Sequence, residues 1–120
     1  MRLTLYHNPK CSTARHVLAA LREAGFAPEI VEYLNTPPSA AELQRLSDKV
    51  GHGALAITRT KEALYKALGL DAAGTSEAQL ITAIAQHPVL LNRPIVETEA
   101  FAMVVRPSAT VDQLITRLQS

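Results

Sequence analysis

The chain has one cysteine, no tryptophan and only 4% aromatic residues in a length of 120. A single thiol excludes an intramolecular disulfide framework and suits a reducing compartment. No apolar run approaches the roughly 20 residues that span a bilayer. Charge of one sign is lacking too: 12 basic against 11 acidic side chains leave a formal +1. That balance gives no net field of the kind that draws a protein to nucleic acid or to an anionic membrane. The chain passes directly into a strand pattern without a charged and then apolar leader, so a cytoplasmic location is expected. Metal binding lacks support, since His7 and Cys11 are only two ligands, while His16, His52 and His87 are scattered and no second pair stands at zinc-like spacing. There is no internal repeat and no low-complexity linker.

What is present is 48% hydrophobic content, enough for one core, so a single domain over residues 1–120 is expected. Residues 2–6 read as a strand. The period of Ala14, Val17, Leu18 and Leu21 marks a helix that should close at Gly25 after Ala24. Residues 28–34, rich in Ile, Val and Tyr, read as a second strand from composition more than alternation, and as a parallel partner of the first. Thr36-Pro37-Pro38 stops it. Ser39 and Glu42 then have capping-box spacing ahead of the stripe Leu43, Leu46 and Val50, with Gly51 and Gly53 ending that helix.

Residues 54–58 are apolar and too short to assign by period. Ala63, Leu64, Ala67 and Leu68 describe a further helix closing at Gly69, and Ser76 with Gln79 repeats the capping box before Leu80, Ile81, Ile84 and Ala85. Residues 94–96 and 101–105 read as two strands of an antiparallel hairpin joined by a polar turn at 97–100. Thr110 and Gln113 should box the last helix, carried by Val111, Leu114, Ile115 and Leu118. The order is βαβ, a helical insertion over about 39–88, then ββα. It predicts an α/β protein with a mixed four-stranded sheet and helices packed on it.

The most chemically informative stretch is His7-Asn8-Pro9-Lys10-Cys11-Ser12-Thr13-Ala14-Arg15. Asn8-Pro9 is a turn signal, and the helix that follows puts Cys11 in its first turn. Unpaired N–H groups and about half a positive charge at a helix N-terminus favour thiolate over thiol. Lys10, Arg15 and, if protonated, His7 would add cationic charge. A drop of about two units, or about 2.7 kcal/mol, turns a thiol that is a few per cent ionised at neutral pH into one that is mostly thiolate. A lone cysteine is more commonly a small buried hydrophobe. Here its neighbours Pro, Lys, Ser and Thr describe a turn and a helix start, which favours a reactive nucleophile.

The same nine residues resemble the active-site loop of the glutaredoxin-linked arsenate reductase family, whose fold is thioredoxin-like. The similarity continues through Tyr33-Leu34-Asn35-Thr36-Pro37-Pro38, Tyr65-Lys66-Ala67-Leu68-Gly69-Leu70, His87-Pro88, Asn92-Arg93-Pro94-Ile95-Val96 and Arg106-Pro107-Ser108. The resemblance implies that Cys11 is the catalytic nucleophile and that Arg59, Arg93 and Arg106 bind the oxyanion beside it. It also implies a cis Arg93-Pro94 bond and places His7, Ser12 and Arg15 as support for the thiolate. Guanidinium suits that task because its fixed fork of donors matches two oxygens of a tetrahedral oxyanion. Taken singly, each arginine would read as a solvated or salt-bridged surface residue. His7 either bonds within the loop or ends the strand at the surface, and His16 reads as solvated.

Ala14 stands where a Cys-x-x-Cys motif carries its resolving thiol, so resolution must come from another molecule. The function implied is reduction of arsenate to arsenite, with glutathione as co-substrate, glutaredoxin as partner and no bound cofactor. A glutathione-dependent thiol-disulfide oxidoreductase and a non-enzymatic, thiol-sensing regulator of the same superfamily are the alternatives.

Overall fold

The computed structural model describes residues 2–106 and 110–120. A four-stranded sheet in the order β2-β1-β3-β4 is built from β1 (Leu3–His7), β2 (Glu29–Glu32), β3 (Ile95–Thr98) and β4 (Ala102–Val104). β1 and β2 are parallel, joined by the crossover helix α1 (Ser12–Glu23), whereas β3 is antiparallel to both β1 and β4. Between β2 and β3 lie α2 (Ala40–Val50), a 3-10 turn (Ala54–Ile57), α3 (Ala63–Ala67), α4 (Glu77–Gln86) and a second 3-10 turn (Pro88–Leu90); α5 (Val111–Leu118) follows β4. This is the thioredoxin-like arrangement with helices added in the middle of the chain. Among the described residues no helix is long and apolar enough to cross a membrane.

Alternation along the strands divides the core in two. Leu3, Leu5 and Val96 pack with Val17 and Leu21 of α1 and Leu114 and Leu118 of α5. Tyr6 and Ile95 face the other way, onto Leu43 and Leu46 of α2 and Leu80, Ile81 and Ile84 of α4. Both capping boxes form as the spacing predicts: Ser39 Oγ accepts from Glu42 N–H at 3.1 Å while Glu42 accepts from Ser39 N–H at 3.0 Å, and Ser76 with Gln79 repeats the pattern. Such caps contribute about 1 kcal/mol each. Gly51 ends α2 at φ +85°, a conformation in which a side chain would be strained.

Several boundaries differ from expectation. The first strand is displaced by one residue to end at His7, and the second is confined to Glu29–Glu32, with Tyr33 already in a turn. Residues 54–57, ambiguous by period, form a 3-10 turn. Glu97 and Thr98, expected in the hairpin turn, belong to β3 and are buried. The reason is tertiary: Glu97 is neutralised by Arg45 and Lys49 of α2, at 2.7 and 2.9 Å, which lets a carboxylate sit within a strand. Thr110 does not box the last helix, because its backbone is already helical at φ −71°, ψ −7°.

The register decides what meets at the active end. Tyr6 pairs with Ile95, and Ile95 with Val104. The C-terminal ends of β1, β2 and β4 and the N-terminal end of β3 therefore lie together. That gathers the Cys11 loop, Tyr33, Arg93-Pro94 and Arg106 at one edge of the sheet. Val105, fully buried, anchors the last of these, donating its N–H to the Pro94 carbonyl at 3.0 Å.

Candidate active site

The loop between β1 and α1 is held by three hydrogen bonds. Cys11 N–H donates to the Asn8 carbonyl at 2.9 Å, Lys10 N–H to Asn8 Oδ1 at 3.0 Å, and Arg15 Nη1 to the Pro9 carbonyl at 2.8 Å. Cys11 itself is extended (φ −92°, ψ 121°) and occupies the cap position one residue ahead of α1, not the first turn. This displacement turns the sulfur toward the N–H groups of Thr13 and Ala14, although no regular side-chain cap hydrogen bond closes.

The sulfur is partly buried, and burial alone pushes the thiol pKa up. The Ala14 N–H, the Arg93 guanidinium, the Thr13 N–H and Arg106 act in the opposite direction and outweigh it, so the thiol lies below its ordinary range. Arg106 Nη1 stands 3.9 Å from Cys11 Sγ and donates to the Arg93 carbonyl at 2.9 Å, which ties the two arginine segments together. Arg93 acts on the thiol through its charge from the loop before Pro94, where the Arg93-Pro94 bond is cis as expected. Its Nε is buried with no hydrogen-bond partner among the described residues.

Arg59 is brought to the same region less directly. Its N–H donates to the Leu90 carbonyl at 2.6 Å, and Thr58 bridges Leu91, so it lies against the segment leading to Arg93. Its guanidinium, however, is paired with Glu62 at 3.0 Å.

Three expected thiolate supports are placed differently. His7 does not end the strand at the surface: it is 6% exposed, and burial lowers its pKa, assisted by Arg15 and Arg22 and opposed by Glu32. The imidazole is therefore neutral at pH 7 and brings no cationic charge, and its Nδ1 has no partner among the described residues. Arg15 shapes the loop through Pro9. Ser12 is exposed at the first helical position, and the amides acting on sulfur belong to the next two residues. Lys10 and His16 are exposed. Pro107 and Ser108 lie outside the described residues.

Tyr33 is a member of the site that sequence reasoning passed over, having served there only as part of a motif. It is 1% exposed, and burial raises its pKa. Opposing that, Arg93, a hydrogen bond with the Asn8 side chain and Arg59 favour its ionised form, while negative charge on Cys11 disfavours it. One protonated hydroxyl thus lies near the loop and feels the thiol and two of the arginines. The signal was its position: the turn after a parallel strand lies at the end where βαβ folds gather function.

A nucleophilic sulfur at a helix start, with forked cations beside it, is suited to attack on the central atom of an oxyanion. The sequence matches the ArsC family over residues 6–114. The chain belongs to that family. Among ArsC relatives, an arsenate reductase of Neisseria meningitidis is 42% identical over 114 residues, covering 94% of this chain and 97% of the relative. One of Escherichia coli is 39% identical over 117 residues, covering 98% and 83%. A solved arsenate reductase from Vibrio cholerae has the same fold with a TM-score of 0.89 at 43% identity, covering 94% of this chain and 97% of that one.

Proposed function

We propose that this ArsC-family protein reduces arsenate to arsenite, with Cys11 as nucleophile and glutathione and glutaredoxin as the cytoplasmic reductants. The observation that carries the reading is the pair Arg93–Arg106 beside a thiol of lowered pKa, with Arg93 Nε buried and without an acceptor among the described residues. A donor held out of water costs about 1–3 kcal/mol if it stays unpaired, which an oxyanion oxygen would recover. The arsenate reductase names of relatives near 40% identity support the same substrate.

In this mechanism the Cys11 thiolate attacks arsenic and displaces an oxygen that leaves as water, giving a sulfur–arsenic(V) adduct. Arg93 and Arg106, joined by Arg59, neutralise the remaining oxygens. A glutathione thiolate then attacks the Cys11 sulfur, and the sulfur–arsenic bond breaks with its electron pair going to arsenic. Arsenite leaves, and Cys11 remains in a mixed disulfide. A second thiol, delivered through glutaredoxin, resolves it, so two thiols supply the two electrons. The chain's one cysteine makes the external thiol part of the cycle.

The test is arsenite formation by purified protein with glutathione, glutaredoxin and arsenate. Wild type should turn over, and protein quenched with limiting glutaredoxin should carry a glutathione adduct on Cys11. Cys11-independent turnover, or turnover without the adduct, would sink this mechanism.

A further inference from the structure

Among the described residues Glu62 is the acid that pairs with one of these arginines, and it does so by giving up the role its position offers. It occupies the cap position of α3, where a carboxylate would ordinarily accept from the helix's free N–H groups, yet it makes no cap hydrogen bond. Its Oε2 instead accepts from Arg59 Nη1 at 3.0 Å, with the two side chains 34% and 26% exposed. The backbone closes the same short loop, Glu62 N–H donating to the Arg59 carbonyl at 3.1 Å. The pair is thus built into four consecutive residues, on a segment whose strand-like contacts at Thr58–Leu91 and Arg59–Leu90 set it beside the Arg93 loop.

We infer that Glu62 is an affinity-setting residue: it holds Arg59 in competition with the oxyanion substrate, so that the substrate shares or contests the Arg59 guanidinium with an internal carboxylate. The inference rests on the oxyanion reading above and goes beyond it. Two effects act in the same direction. An incoming anion competes with Glu62 for the guanidinium, whose Nη1 is already engaged, and the carboxylate adds a negative charge to the site that repels the anion. The neighbouring arginines do not share this feature: Arg106 is bonded to a neutral carbonyl, and Arg93 Nε has no partner among the described residues. The site therefore offers two ready cations and one restrained cation. A partly exposed pair is a weak restraint, easily exchanged, so it tunes affinity without closing the site.

The experiment is isothermal titration of inorganic phosphate and of arsenate into the full chain carrying Cys11→Ser, with and without Glu62→Gln. The amide keeps the side chain's size and removes its charge. Binding should tighten by about two- to fivefold in the Glu62→Gln protein. The gain should shrink when Arg59→Ala is added, because the competition acts through Arg59. In turnover by proteins that retain Cys11, Glu62→Gln should lower the arsenate KM by a similar factor and leave kcat unchanged, a split that general damage to the fold would not produce. Oxyanion binding that is present but unchanged or weaker in Glu62→Gln overturns the inference and leaves the oxyanion site standing, and so does a full gain that persists without Arg59. Failure of both anions to bind either protein overturns the oxyanion reading itself, and this inference with it.

Discussion

Two clusters on the same sheet gather cations around an acidic group and put them to opposite uses. At the Glu97 cluster, a 7% exposed carboxylate in β3 accepts from Arg45, Lys49 and the Tyr6 hydroxyl, with distances of 2.7 to 3.1 Å. Burial would raise the Glu97 pKa, but these donors overcome it and hold the carboxyl at about 2. At the Cys11 cluster, beyond the N-terminal end of β3, only Arg59 is paired with a carboxylate, Arg106 stands beside the thiol, and Arg93 Nε finds no acceptor within the described chain. The first cluster has its anion built in and is complete. The second keeps a buried guanidinium donor without an acceptor among the described residues, which costs stability and leaves binding capacity for an anion from outside.

The contrast can be broken most severely at the sulfur. Cys11→Ser should lower arsenite formation by at least about a thousandfold, since no second thiol exists to replace it, while chemical denaturation shows stability within about 0.5 kcal/mol of wild type. Next in size, Arg93→Lys and Arg106→Lys should each reduce kcat/KM by about 10- to 100-fold although charge is kept, because an ammonium lacks the fork. Wild-type turnover by both variants, with the fold intact by circular dichroism, would discard the bidentate account.

The complete cluster should respond in the other currency, stability. Glu97→Gln leaves Arg45 and Lys49 without their counter-charge and should cost about 2–4 kcal/mol in urea unfolding, with activity of the folded fraction within about twofold. The sign of its pH dependence follows from a carboxyl depressed to about 2 when folded against about 4.3 unfolded. Its contribution is complete above about pH 4.3 and is lost as pH falls toward 2, so the variant's deficit should be the same at about pH 6 and pH 8 and shrink near pH 3. A deficit that grows on acidification would contradict the assignment.

Smallest is the thiol's own titration. Alkylation rate against pH should give a midpoint below the ordinary value of about 8.5, and Arg93→Ala should move it upward, Arg93 being the leading charged contributor to the lowering. A midpoint that does not move would mean that the helix amides and Arg106 set the pKa without Arg93.

The sequence by itself determined the elements whose signals are local. Capping boxes at Ser39 and Ser76, glycine stops at Gly25 and Gly51, and the apolar period of α1 act within a few residues and do not depend on what packs against them. The Cys11 loop was legible for the same reason, as a turn running into a helix. Only the tertiary structure decided which charges go together. Glu97 reads as a turn residue until Arg45 and Lys49, about fifty positions away, are folded against it, and whether His7 carries charge is open until burial is seen to disfavour its protonated form. Tyr33 gained its place because the parallel register ends β2 beside β1, and the Arg59–Glu62 pair, local in sequence, came to lie beside the Arg93 loop because Arg59 N–H bonds the Leu90 carbonyl. Local backbone preferences are written over a few residues, whereas desolvation and Coulomb energy depend on distances that exist only once the chain is packed.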